Sequence, residues 1–161
     1  MSSLTPVSNL DLQENEISSV QKAWSAAKGS DTDGNRPGLV AFQQIFMQME
    51  EIRAVFGFIG FDDPNFIRHT KIFTNYLNKI LSHLDNIEEF DNLCLNLGRI
   101  HAGVRQNTEF RPVYWDTFAA ALISCALDEP NFPVQVIWRK VVLYMIYKMK
   151  EGYHNALYGS K

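Results

Sequence analysis

The sequence predicts an all-α domain, and three observations predict it. Apolar residues recur at spacings of three and four along most of the chain. No segment alternates strictly between turn signals as a sheet would require. Clusters of Gly, Pro, Asp and Asn interrupt the periodic runs at intervals suited to helices. The count is six or seven helices, within one domain covering residues 1–161, its core about 12–153 and its ends flexible.

The first helix is read from about Leu12 to Lys28, with Ile17, Val20, Ala23, Trp24 and Ala27 on one face and Asp11 as its cap. Turn formers from Gly29 to Pro37 stop it. The second runs from about Arg36 to Met49 through Leu39, Phe42, Ile45, Phe46 and Met49, Pro37 lying in the first turn where its missing N–H costs little. A short turn through Ile52, Val55 and Phe56 follows. Gly57 to Phe61 is apolar but carries two glycines, and is read as a loop packed over a buried group.

Asp63-Pro64 reads as a cap followed by proline at the first helical position, opening a helix to about Leu84. Its inward face is Phe66, His69, Phe73, Leu77, Ile80, Leu81 and Leu84. Asn86, Glu88 and Glu89 open the next, since early acids suit a helix's positive end. Its stripe is Phe90, Leu93, Cys94, Leu97 and His101, and Gly103 is read as its end. Two long apolar helices finish the chain, from about Pro112 to Leu127 and Pro133 to Tyr153, divided by the breakers from Asp128 to Pro133.

Composition narrows the functions. The chain has 161 residues, 46% hydrophobic, with a formal net charge of -3. That balance gives no basic footprint for nucleic acid or for an anionic membrane surface. No apolar stretch approaches the ~18 residues that span a bilayer, and no signal sequence opens the chain, so a cytoplasmic location is expected. Cys94 and Cys125 lie inside apolar helical patterns and read as small buried hydrophobes in a reducing compartment.

Two histidines continue apolar stripes: His69 leads to Phe73 and Leu77, and His101 follows Phe90, Leu93 and Leu97. Either imidazole alone is more readily an ordinary hydrogen-bonded core residue. As a pair, 32 residues apart, they can face one cavity from two helices, where bundle folds build cofactor sites. Zinc would call for three or four ligands from a short-spaced Cys and His cluster, which the sequence lacks. Haem needs one or two protein ligands and an apolar slot. His83, near a helix carboxyl end, and His154, beside Tyr153, read as solvated or dipole-complementing residues.

From Leu12 to Tyr153 the residues resemble the globin family. Leu97-Gly-Arg-Ile-His101-Ala-Gly-Val104 is similar to the family's proximal segment, and Asn65-Phe-Ile-Arg-His69-Thr-Lys-Ile-Phe73 to the start of its distal helix. Phe56 matches a phenylalanine stacked on the haem, Gly38 a small residue at a helix crossing, and Trp24 a first-helix landmark. The resemblance implies haem b (iron protoporphyrin IX), with His101 as proximal ligand and His69 facing the sixth iron position. Phe42, Phe56, Phe73, Leu97, Val104, Trp115 and Phe118 are then expected to line it, and Arg68, Lys71, Arg99 and Arg105 to be within reach of its propionates.

The chain also departs from the family. His69 follows Phe56 by 13 positions, so the small helix between Phe56 and Pro64 is expected to be short or absent. Phe73 stands where valine is common, Thr70 where glycine or alanine is common, and Phe42 with Phe73 makes the pocket crowded. Such crowding favours His69 binding the iron itself, giving a hexacoordinate protein of redox chemistry or oxygen-linked sensing with an electron-transfer partner. The alternatives are an oxygen-binding storage or transport globin with an open sixth position, or a haem-free interaction module of the same fold. No G-x-G-x-x-G motif is present, so any turnover would draw electrons from elsewhere.

Overall fold

A computed structural model describes residues 7–29, 36–57, 59–105, 113–127 and 131–159, with residues 55, 56, 104, 105 and 125 described in the backbone alone. Seven α-helices and no strand occur among the described residues, in the order α1 (Glu14–Lys28), α2 (Arg36–Gln48), α3 (Glu50–Phe56), α4 (Pro64–Leu81), α5 (Ile87–Arg105), α6 (Val113–Cys125) and α7 (Phe132–Tyr158). No described helix is long and apolar enough to cross a membrane.

Capping chemistry sets the ends. α1 begins at Glu14 rather than Leu12: Gln13, not Asp11, is its cap, in a reciprocal box where the Gln13 N–H donates to the Glu16 carboxylate at 2.9 Å. Asp63 caps α4 as expected, its carboxylate accepting the N–H groups of Asn65 and Ile59, each at 2.9 Å, which holds it below the usual carboxylate range. Asn86 and Asn131 accept from the first turns of α5 and α7.

α4 stops at Leu81, three residues before the expected Leu84. There the His83 Nδ1–H donates to the Lys79 carbonyl at 2.8 Å, satisfying one of the last orphan acceptors. α5 continues through Gly103 to Arg105, because a glycine in an exposed helix costs only about 1 kcal/mol and open space surrounds this one. α7 runs past Tyr153 to Tyr158. Pro112 and the breakers Asp128 to Pro130 lie outside the described residues.

The loop after α3 differs in part from expectation. Gly57 ends α3 with φ 75°, a left-handed conformation that suits glycine. Ile59 is 88% exposed, not packed inward, since the Asp63 carboxylate binds its N–H and turns the segment outward. Phe61 folds onto the core, 6.4 Å from the Phe46 ring and 5.7 Å from Phe66, while Phe58 lies outside the described residues. No helix occurs among the described residues between Phe56 and Pro64.

Glycines set two tight crossings among the described residues. A Cβ on Gly38 would stand 2.7 Å from the Thr70 carbonyl oxygen and 2.2 Å from the Thr74 hydroxyl, so α2 meets α4 in direct backbone contact. α5 and α7 share the most extensive helix contact, with Gly98 against Met149 and Gly152 against Leu95. Trp24 and Trp138 stack 6.1 Å apart where α1 meets α7.

Candidate functional site

α2, α4, α5 and α6 surround a cavity of about 310 Å³. Phe42 reaches it from α2, His69 and Phe73 from α4, Leu97 and His101 from α5, and Trp115 and Phe118 from α6, so these seven expected residues meet in one place. The side chains of Phe56, Val104 and Arg105 lie outside the described residues.

His69 sits one turn before Phe73 on the inward stripe of α4, and its ring meets that of Phe42 nearly at right angles, 5.0 Å apart. Phe42, Phe73 and Phe118 touch one another at 5.0 to 6.0 Å, closing this wall with redox-inert rings. Burial, and secondarily the nearby His101, pushes the His69 pKa down to about 4. The ring is therefore neutral near pH 7.

His101 follows Leu97 by one turn of α5, and its Nδ1 lies 2.8 Å from the Leu97 carbonyl oxygen. A carbonyl only accepts, so Nδ1 carries the proton and Nε2 keeps its lone pair. Burial lowers the His101 pKa, against an upward effect of that same hydrogen bond. Trp115 packs on the ring at 5.5 Å.

Six further residues line the cavity without having been expected there: Ile45, Ile52, Ile72, Tyr76, Ile100 and Tyr114. Ile45 continues the Phe42 stripe, so its place was readable. Ile72 and Ile100 are 60% and 46% exposed, at the mouth of the cavity, and their apolar character on an outer face was the available signal. Tyr76 and Tyr114 are anchored by their hydroxyls, which donate to the Leu93 carbonyl at 3.1 Å and to Glu51 at 2.8 Å.

The chemistry of this lining fits a flat, largely apolar macrocycle carrying a metal. Two neutral imidazoles on different helices line one cavity, one has its Nδ1–H bound to the Leu97 carbonyl, and hydrocarbon surrounds them. Among the described residues no three His, Cys, Asp or Glu side chains cluster as an all-protein metal site would need. Arg68 and Arg99 are exposed and bind Asn65 and Asn96, while Lys71 is half-buried on α4, and none of the three lines the cavity. His154 is exposed, against Tyr153 and Tyr158.

Residues 39–146, two thirds of the chain, match the family model described as Globin. A globin-related protein of Caenorhabditis elegans is 27% identical over 143 residues, covering 83% of this chain and 50% of that protein. Neuroglobin of Chaenocephalus aceratus is 22% identical, covering 72% of this chain and 78% of its own. The chain thus spans half the length of the nematode relative. A deoxy haemoglobin from Dasyatis akajei superposes with TM-score 0.69 at 18% identity, covering 89% of this chain and 99% of that one. A hexacoordinated haem protein from an anhydrobiotic tardigrade superposes with TM-score 0.73 at 16% identity, covering 89% and 96%.

Proposed function

The chain belongs to the globin family, and from that premise we propose that it is a hexacoordinate haem protein, holding haem b between His101 and His69 and acting in redox chemistry or oxygen-linked sensing. One observation carries the reading: two neutral imidazoles, from α5 and α4, line the same apolar cavity.

Haem bound there supplies a one-electron iron couple. The Leu97 carbonyl fixes the tautomer of His101 and makes Nε2 the more basic donor. The Phe42 ring stands nearly perpendicular against that of His69, 5.0 Å away, and restrains the imidazole on that side. Phe42, Phe73 and Phe118 exclude water and fill the space an outside ligand would enter. Two imidazoles held rigidly in a dry slot reorganise little between oxidation states, which suits electron exchange. The tardigrade protein, described as hexacoordinated, has the same fold and supports the reading.

The test is the ferrous, ligand-free absorption spectrum of the purified holoprotein. A low-spin spectrum that becomes high-spin in His69→Leu upholds the proposal. A high-spin, five-coordinate spectrum in the unaltered protein replaces it by an open-site oxygen-binding globin. A colourless protein that takes up no added hemin rejects haem binding altogether.

A further inference from the structure

The two histidines come from helices that share only a slight contact with each other. α5 is buried along α7, and α4 crosses α2 backbone to backbone at Gly38, but α4 and α5 meet over a short stretch. Tyr76 links them there. It follows His69 by seven residues, two helical turns, and so projects from the same face of α4 into the same cavity. Its hydroxyl donates to the Leu93 carbonyl of α5 at 3.1 Å and accepts the Asn96 side-chain N–H at 3.2 Å. Leu93, Leu97 and His101 follow one another at intervals of four along α5. The Leu97 carbonyl that holds the His101 ring is therefore one turn beyond the carbonyl that holds Tyr76.

The next rung of the same gap has no polar tie. One turn from Tyr76 on α4 is Ile72, one turn from Asn96 on α5 is Ile100, and both stand exposed at the cavity mouth. Isoleucines attract through buried area, which sets no sharp distance, whereas a hydrogen bond weakens steeply once stretched or bent. The ring and the hydroxyl of Tyr76 thus act in opposite directions. The half-buried ring is a strut that keeps α4 and α5 from closing on the cavity, and the twice-bonded hydroxyl is a tie that keeps them from spreading. Asn96 supports the tie: by donating to the phenolic oxygen it leaves the hydroxyl hydrogen aimed at Leu93.

We propose that Tyr76 is a positioning residue for His69: its hydroxyl holds α4 against α5 at the spacing at which the imidazole reaches the iron, and so sets the fraction of molecules whose sixth position is closed. The proposal rests on the hexacoordinate reading above and names what regulates it. Only the closed form depends on the tie, because once the imidazole has left, the spacing of the two helices no longer bears on its bond. Removing the hydroxyl while keeping the ring therefore shifts the balance one way, toward the open form. A neutral hydrogen bond of this kind moves an equilibrium by about threefold to tenfold.

The experiment compares the haem-loaded protein with Tyr76→Phe, alone and combined with His69→Leu, after the Soret band and the ferrous spectrum of each have been recorded. A five-coordinate ferrous spectrum in the unaltered protein defeats the hexacoordinate reading and this proposal with it. Given a low-spin protein, carbon monoxide affinity is expected to rise about threefold to tenfold in Tyr76→Phe. In the His69→Leu background the same substitution is expected to change nothing, whereas a general disturbance of the pocket would act in both backgrounds. Asn96→Ala, which keeps the phenol and removes its donor, is expected to raise the affinity by less. In the haem-free protein, amide exchange in α4 around His69 is expected to quicken in Tyr76→Phe, with α7 unchanged. A low-spin protein whose carbon monoxide affinity is unmoved by either variant overturns the proposal. So does an equal shift in both backgrounds, or α4 exchange that stays as it was.

Discussion

A methyl group on Gly98 would lie 1.9 Å from the carbonyl oxygen of Met149, so at this crossing the α5 and α7 backbones occupy the space a side chain would need. Gly152 repeats the arrangement in reverse, 2.1 Å from the Leu95 carbonyl oxygen. His101 lies three residues beyond Gly98 on α5, so the depth of this contact fixes how far the imidazole stands from the opposite wall.

Gly98→Ala is therefore expected to destabilise the fold. Alanine gains about 1 kcal/mol of helix propensity, but overpacking costs about 1–3 kcal/mol or more, and a clash with backbone is relieved only by separating the helices. The expected net loss reaches about 2 kcal/mol at the upper end of that cost, measured by urea unfolding. Gly103→Ala is the control: it is helical, exposed and has nothing within 4 Å of the added Cβ, so it is expected to stabilise by about 0.5–1 kcal/mol. Equal effects at the two positions would contradict the account.

These glycines mark a limit of sequence reading. Periodicity identified the faces of α4 and α5 that turn inward, and with them His69, Phe73, Leu97 and His101, because facing the core depends on spacing within one helix. Which backbone meets Gly98 depends on a helix fifty residues away, and an absent side chain carries no sign of what replaces it. The ends of helices escaped for a related reason. Asp11 and Gln13 both lie near the start of α1, and only the reciprocal bond with Glu16 decides between them. Ile72 and Ile100 lay on outer faces and took their place in the site only from the position of the cavity mouth.

Thr74→Val tests a cap supplied from another helix. Gly38 lies in the first turn of α2, where backbone N–H groups have no partner within the helix. Its N–H donates to the Thr74 hydroxyl of α4 at 3.0 Å, and Thr74 is 1% exposed. Valine keeps the shape and removes the acceptor, leaving a buried donor unsatisfied at a cost of about 1–3 kcal/mol. Thr74→Ser restores the oxygen and should recover much of the loss in denaturant unfolding. If valine and serine unfold alike, the hydrogen bond contributes nothing.

Acid should weaken the haem-free protein in a defined window. Burial lowers the His69 pKa from 6.5 to about 4, so between these values the unfolded chain binds the proton more readily than the folded one. The contribution to stability is complete above pH 6.5 and falls away as pH drops toward 4. The shift corresponds to at most about 3 kcal/mol, less for the part of the ring still hydrated. His101, shifted in the same direction, adds to the fall. Urea midpoints measured from pH 7 to pH 4 should decline, and His69→Leu should flatten the curve. An unchanged pH dependence in that variant would assign the acid sensitivity to other groups.

The same substitution should change ligand binding in the haem-loaded protein. If His69 occupies the sixth position, an outside ligand binds only the fraction of molecules in which the imidazole has left. With that fraction at ~1%, apparent affinity is about a hundredfold below intrinsic. Phe42, packed on the His69 ring at 5.0 Å, and Phe73, at 5.0 Å from Phe42, stay in place in His69→Leu, so the pocket remains crowded and dry. Carbon monoxide, which needs no hydrogen-bond donor, isolates the competition with His69 from any polar effect. Its affinity for the ferrous variant should rise about a hundredfold over the unaltered protein, and binding should become a single phase whose rate is linear in ligand concentration. Equal affinities would mean that the imidazole lines the cavity without competing for the iron.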